Sequence, residues 1–332
     1  VVLISVAGLC RPCFGEAAIA EKWIEAGHWK RARAAMEQRI HEAPNDPLAN
    51  FLMSQIRGAF GDRTAPLALA EKAVALDGSV AKYHRQVAEV LGVVAQHSNA
   101  FQQLFLARRF RKEIDIALAL DGRDVQANRD LLEFYLLAPG IAGGSRREAA
   151  AVADRIAGLD PAEGYLAKAR IASTQPDSAA VEALLKKAAA VEPPNYRARL
   201  ALGEFYLAPE HTNLAEAEAA GRELIALDAG RSDGYGILAS VYADRGAWEG
   251  LDNILAEAAA NVPDDLFPSY RAAERIISRG SDLDRAEKYL RAYRGQEPEG
   301  NRPTLADADR NLSRVTAIRR AAGNHREGVT SR

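Results

Sequence analysis

Apolar positions in this chain recur at three- and four-residue spacings, the period of amphipathic helices, and the runs that carry them end at regular intervals. Strand-like alternation of Val, Ile and Thr is nearly absent, so the pattern predicts an all-α protein. The stops read "HEAPND" at Pro44, "ALDGS" at Gly78, "ALDGR" at Gly122, "GLDPA" at Pro161, "AVEPP" at Pro193, "ALDAG" at Ala229, "NVPDD" at Pro263 and "GQEPE" at Pro298. They fall 32 to 44 residues apart, a spacing that points to a repeated two-helix unit. Proline lacks the N–H that a helix needs, and glycine just past a helix accepts a left-handed backbone.

Within each interval two helical runs flank a turn. In "AEKWIEAGHWKRARAAMEQRIHEAP" the break is Gly27. Small residues (Ala20, Gly203, Ala239, Ala273) recur near the middle of the first runs, and bulky Trp23, Tyr135, Tyr206, Tyr242 and Ile276 lie on the same runs. A small residue lets a neighbouring helix approach, and a large one on that face fills the remaining gap. "LGEFYL" and "LASVYADRGAWEGLDNILAEAAANVP" carry these small, aromatic, glycine, alanine and final proline positions in order. With them the chain resembles a bacterial tetratricopeptide repeat (TPR) protein of about eight repeats, over about residues 16 to 320. The third repeat is long, and the fifth fits least well. The resemblance implies a right-handed superhelical solenoid of antiparallel helix hairpins, with residues 299–332 an incomplete repeat or cap.

The glycine-rich "PGIAGGS", Pro139 to Ser145, invites comparison with a phosphate loop. A Walker loop follows a strand and ends in Gly-Lys-Ser/Thr, whereas here a helix precedes and Arg146 follows Ser145. The stretch reads as a long turn between helices. Pro139 ends one, and Ser145 with Glu148 is placed to cap the next. The remaining functional reading is an anion held by backbone N–H groups with Arg146 and Arg147.

Composition narrows the classes further. Of 332 residues 27% are charged, and with a net charge of −2 nothing in the overall balance points to nucleic acid or an anionic membrane as a partner. The two cysteines, Cys10 and Cys13, precede the repeats, so neither a disulfide framework nor a thiolate metal site is expected in the body. His28, His41, His84, His97, His211 and His325 include no pair three or four apart, so no metal and no cofactor is expected. Asp264 and Asp265 follow Pro263, where acidic residues commonly start a helix. "RRFRK", Arg108 to Lys112, is the one dense basic cluster and reads as a solvated helix face or a contact for an acidic partner or phosphates. The apolar "VVLISVAGL" is too short to span a bilayer. With small Cys13 and Gly15 ahead of Glu16 it reads as a signal peptide over residues 1–15, although no basic stretch precedes it. Periplasmic or secreted localisation is the expectation, with the cytoplasm as the alternative.

In the TPR pattern the first helices line a concave surface, and ligand-facing positions lie near the start, second turn and end of each. Carried onto this sequence, the resemblance implies binding positions at Arg129, Glu133 and Leu137; Arg197, Leu200 and Glu204; Ser240 and Asp244; and Tyr270, Glu274 and Ile277. Chaperone-tail binders of that kind use Lys and Asn at positions that are Ala17 and Glu21 here, which argues against a carboxylate clamp. The expected function is a non-catalytic scaffold that binds a peptide or protein segment in the groove. The alternatives are an accessory or regulatory subunit of an envelope enzyme complex and a self-assembly module.

Overall fold

The computed structural model describes residues Phe14 to Thr330; the expected signal peptide, with Cys10 and Cys13, lies almost wholly outside them. Among the described residues there are seventeen α-helices and no strand. Sixteen form eight hairpins: α1 (Phe14–Ala26) with α2 (Trp29–Glu42), α3 (Pro47–Ala59) with α4 (Ala65–Leu76), α5 (Ala81–Gln96) with α6 (Ala100–Leu120), and α7 (Val125–Leu137) with α8 (Arg146–Leu159). These are followed by α9 (Pro161–Ala172) with α10 (Ser178–Ala189), α11 (Tyr196–Leu207) with α12 (Leu214–Leu227), α13 (Ser232–Arg245) with α14 (Trp248–Asn261), and α15 (Phe267–Arg279) with α16 (Leu283–Arg294). The last helix, α17 (Leu305–Thr330), packs on α15 and α16. Each odd-numbered helix touches its own partner and the odd-numbered helices on either side, so the odd helices form one continuous inner layer. This is a TPR-like helical solenoid.

The helix ends have local causes. Every stop read from the sequence falls two to four residues past the end of an even-numbered helix. At the Leu-Asp stops the work is done by aspartate rather than by a left-handed glycine. Asp77, Asp121 and Asp228 are extended, and each carboxylate accepts the amide two residues on, from Ser79, Arg123 and Gly230. Asp160 ends α8 and also caps α9 by accepting from the Glu163 amide, with Pro161 as the first helical residue. Left-handed glycines sit instead inside the hairpins; Gly246 (φ 65) and Gly280 (φ 61) turn α13 into α14 and α15 into α16. Ser145 caps α8 through the Glu148 amide, while the reciprocal capping box forms at Asn99 and Gln102 of α6.

The recurring small residues are buried as expected. Ala20, Ala239 and Ala273 are fully covered and Gly203 is buried, with Tyr206 beside Gly203 on α11 and Ile276 beside Ala273 on α15. The core is a row of side-chain clusters between hairpins rather than one centre; the largest joins α13 to α17 through Tyr235, Leu251, Tyr270, Ile276 and Tyr293. Each large apolar side chain covered this way contributes about 1.5–3 kcal/mol.

One feature has no counterpart in the local pattern. The solenoid curves until its first hairpins meet its last loops. The Lys30 amide donates to Glu299 Oε2 at 2.8 Å, and Lys30 Nζ reaches the carbonyls of Asp264 (2.6 Å) and Glu297 (2.8 Å). Arg31 grips Asp264 and Arg33 grips Glu297, each through two hydrogen bonds. The Asn301 amide donates to the Ala59 carbonyl at 2.8 Å. Gly300 is needed for the close approach, because a Cβ there would stand 2.7 Å from Trp29 Cγ and 2.8 Å from Ala59 Cβ. On the other side Arg302 anchors the loop to Ser232, Asp233 and Asp265. Thus Asp264, expected at a helix start, serves as an end-to-end anchor, while Asp265 accepts the Phe267 amide at the start of α15 and holds Arg302 of the closing loop.

Candidate functional site

The inner layer presents a concave face, and its charged side chains are mostly tied to one another across helices. Arg129 on α7 and Arg197 on α11 both approach Glu163 Oε2 of the intervening α9, at 3.6 and 3.5 Å. Burial pushes the Glu163 carboxyl above its usual range, and Arg129 opposes that shift. Glu133 on α7 takes two 2.8 Å hydrogen bonds from Arg170 on α9. Lys82 on α5 bridges to Glu21 on α1 across the Phe51 ring of α3. The four-residue Arg129–Glu133 spacing therefore does not form a pair along the helix; each charge finds its partner on a neighbouring one.

Towards the C-terminal end the face changes. Most of α13 is buried, and its small residues leave a trough. Arg271 on α15 crosses that trough, its Cδ 3.2 Å from where a Cβ on Gly236 would sit, and pairs with Glu204 on α11. Arg275 reaches the Leu207 carbonyl at 2.7 Å and lies 3.7 Å from Asp244, whose pKa is raised by burial. Beside these arms lies an open cleft of about 430 Å³, lined by Phe267, Arg271, Glu274, Arg275 and Ser278 of α15 and by Arg314 of α17. Phe267, Arg271, Glu274 and Ser278 follow one helical stripe. Of the three guanidinium groups lining it, Arg271 and Arg275 are already held by Glu204 and Asp244 and Arg314 bonds only to Asn311, while the Phe267 ring supplies an apolar wall.

Against this geometry the residues expected from the sequence divide. Arg129, Glu133, Arg197 and Glu204 are joined into the ion-pair ladder, Asp244 sits beneath Arg275, and Glu274 lines the cleft. Leu137 is exposed and Leu200 packs against the core cluster of α11 and α12. Ser240, Tyr270 and Ile277 are corrections, since all three are buried. Tyr270 and Ile277 are each one residue, about 100° of helix, off the groove stripe, and Tyr270 OH accepts from Asn311 inside the core. Ser240 bonds to the Gly236 carbonyl in the floor of the trough. Glu163, Arg170, Arg271, Arg275 and Arg314 were missed. The stripe Phe267–Arg271–Glu274–Ser278 was the available signal, met at Glu274 but read one residue out of register at Tyr270 and Ile277.

The "PGIAGGS" turn holds no free anion cradle. The Ala142 and Gly144 amides donate to Pro139 O, Gly143 to Gly140 O, and Ser145 to Tyr135 O. Arg146 is bound to Thr174. The turn's own N–H groups are therefore engaged, and the Glu148 amide at the start of α8 is taken by Ser145 Oγ. Residues 140–142 make a single 3₁₀ turn against α6. The basic cluster also separates: Arg109 pairs with Glu71 and Arg111 with Asp115, Phe110 stacks on Phe134, and Arg108 and Lys112 stay exposed. Among the described residues no group of three or more His, Cys, Asp or Glu is placed to hold a metal, and no helix is long and apolar enough to cross a membrane.

Paired helices in an unbroken row, with an inner face open to ligand, define a helical-repeat solenoid. No protein-family profile matches the chain, and no curated protein matches it in sequence. Solved structures do. A thermophilic TPR protein of Thermus thermophilus is similar over 59% of this chain and 99% of its own, with 16% identity and a TM-score of 0.51. Yeast Tom70 is similar over 92% of this chain and 80% of its own (13% identity, TM-score 0.45). A tetratricopeptide repeat protein of Parabacteroides merdae covers 91% and 98% (8% identity, TM-score 0.42). The chain has the tetratricopeptide-repeat fold.

Proposed function

We propose that this protein is a non-catalytic interaction scaffold that holds an acidic peptide segment in the C-terminal part of its concave groove. The observation that carries the reading is the open cleft between α15 and α17, where Arg314, with no carboxylate partner among the described residues, faces Arg271 and Arg275 beside the Phe267 ring. Upstream, the ladder through Glu163 and Glu133 leaves the guanidinium groups already matched, and in the cleft Arg271 and Arg275 are held by Glu204 and Asp244, so Arg314 is the cleft guanidinium left without a carboxylate among the described residues. A segment with carboxylates and one apolar side chain complements the cleft in charge and shape. Panning a displayed peptide library on the purified protein tests this. Selected peptides are expected to be rich in Asp and Glu. Arg314→Glu is expected to weaken the best of them at least about tenfold, as an anchor contact worth over about 1 kcal/mol would. Arg314 is exposed, so the fold tolerates the change. Selection without acidic bias, or unchanged binding by Arg314→Glu, would refute the assignment.

A further inference from the structure

The α5–α6 hairpin projects from the row of repeats, and its projecting end carries a surface that the groove does not use. At 21 residues α6 is the longest second helix, while the others have 12 to 14. Its C-terminal end at Leu120–Asp121 matches the Leu-Asp ends of α4, α8 and α12, so the extra residues lie at its N-terminal end. Seven residues extend about 10 Å beyond the neighbouring helices. On that overhang Phe101 and Phe105 are 85% and 67% exposed. Ile141 (80% exposed), in the 3₁₀ turn packed against α6, and Leu137 (67%) at the end of α7 add to the apolar surface. Together they present on the order of 500 Å² of side-chain surface, at the upper end of what monomers expose.

The same stripe of α6 continues with Arg108 and Lys112, at spacings of three and four residues. Both are exposed, and neither has an ion-pair partner among the described residues, whereas Arg109 and Arg111 do. The order along the axis is therefore two phenylalanines at the tip and two unmatched cations about 10 Å behind. That separation corresponds to the depth between the acyl boundary of a bilayer and its headgroups. A peptide is held by a concavity, and this is a convex helix end. A soft anionic surface accepts a projecting aromatic tip and pairs its phosphates with the cations behind it.

We propose that the α6 tip docks the protein onto an anionic lipid surface, with Phe101 and Phe105 entering the interface and Arg108 and Lys112 at the headgroup phosphates. The α6 tip and the α15–α17 cleft share no residue, so lipid and peptide binding are tested by separate variants.

Co-sedimentation with phosphatidylcholine vesicles, and with vesicles of equal parts phosphatidylcholine and phosphatidylglycerol, tests the proposal. The protein is expected to pellet with the anionic vesicles only, and less so as salt is raised. Phe101→Ser with Phe105→Ser is expected to lower partitioning at least about tenfold. Arg108→Glu with Lys112→Glu is expected to abolish the preference for anionic vesicles. All four positions are exposed, so circular dichroism should not change. Absence of binding to anionic vesicles, or binding that both variants retain, would overturn the proposal. So would sedimentation velocity showing that the phenylalanine changes dissociate a dimer, because the tip would then join two copies of this chain.

Discussion

The end-to-end contact should weaken as pH rises, and Glu299 is the group that makes it do so. Its side chain is buried, one carboxylate oxygen accepts the Lys30 amide, and the other has no partner. Burial, with Asp265 and Asp264 nearby, pushes its pKa from the ordinary 4.5 up to about 7, while Lys30 pulls the other way. A carboxyl whose pKa is raised in the closed form binds its proton more tightly there. Below about pH 4.5 it is protonated whether the ends meet or not, and it costs nothing. Between 4.5 and 7 closure requires taking up a proton, and above 7 the full cost is present, about 3 kcal/mol. The perturbation is Glu299→Gln, which accepts the Lys30 amide at every pH and never ionises. Hydrogen exchange at the Asn301 amide reads closure directly, since that group donates to Ala59 O across the contact. Its protection factor is expected to fall by up to about a hundredfold from pH 4.5 to 8 in the native protein and to stay nearly level in Glu299→Gln. Amides of α8, in a different core cluster, serve as the reference. His28, beside the contact and held below its usual pKa chiefly by burial, acts in the opposite direction. It is common to both proteins and cancels in their difference. A variant that loosens the contact at pH 8, or a difference that does not grow with pH, would refute the reasoning.

Two nearby glycine positions give opposite outcomes. A Cβ at Gly164 would stand 2.4 Å from Ala157 Cα where α9 crosses α8, so Gly164→Ala is expected to lose at least about 1–3 kcal/mol in urea unfolding. Gly158 in α8 has nothing within 4 Å, so Gly158→Ala is expected to gain about 0.5–1 kcal/mol from helix propensity; equal effects would mean that α8 and α9 are not in this contact. Asp130 on α7 is held well above the usual carboxylate range by burial and then by Glu89, against the pull of Arg85 and Arg129. Its raised pKa removes stability as pH rises, so Asp130→Asn is expected to raise the unfolding free energy in urea at pH 9 by on the order of 1–3 kcal/mol and to leave it nearly unchanged near pH 4. A lower stability at pH 9 would count against that environment.

The hairpins were legible because their causes are local. Pro44, the Leu-Asp stops and Gly246 act within a turn of the residues they punctuate, and the small and aromatic positions of each first helix report its buried face wherever the helix packs. The groove was legible only in part. Arg129, Glu133 and Glu274 do lie on the inner layer or line its cleft, but Tyr270 and Ile277 are core, because a one-residue error turns a helix by about 100°. The α6 overhang was visible as a long interval, although only the structure showed that Phe101 and Phe105 have nothing packed over them.

The sequence by itself determined the repeated hairpin, its boundaries and its all-helical class, since these depend on periodicity and chain punctuation over a few turns. Tertiary structure decided which charges meet. Glu163 is shared by Arg129 and Arg197, Arg271 passes over Gly236 to Glu204, and Lys30 meets Glu299 from the far end of the chain. Those pairings depend on small rotations accumulated from one hairpin to the next, and the summed curvature of eight hairpins is written in no single segment.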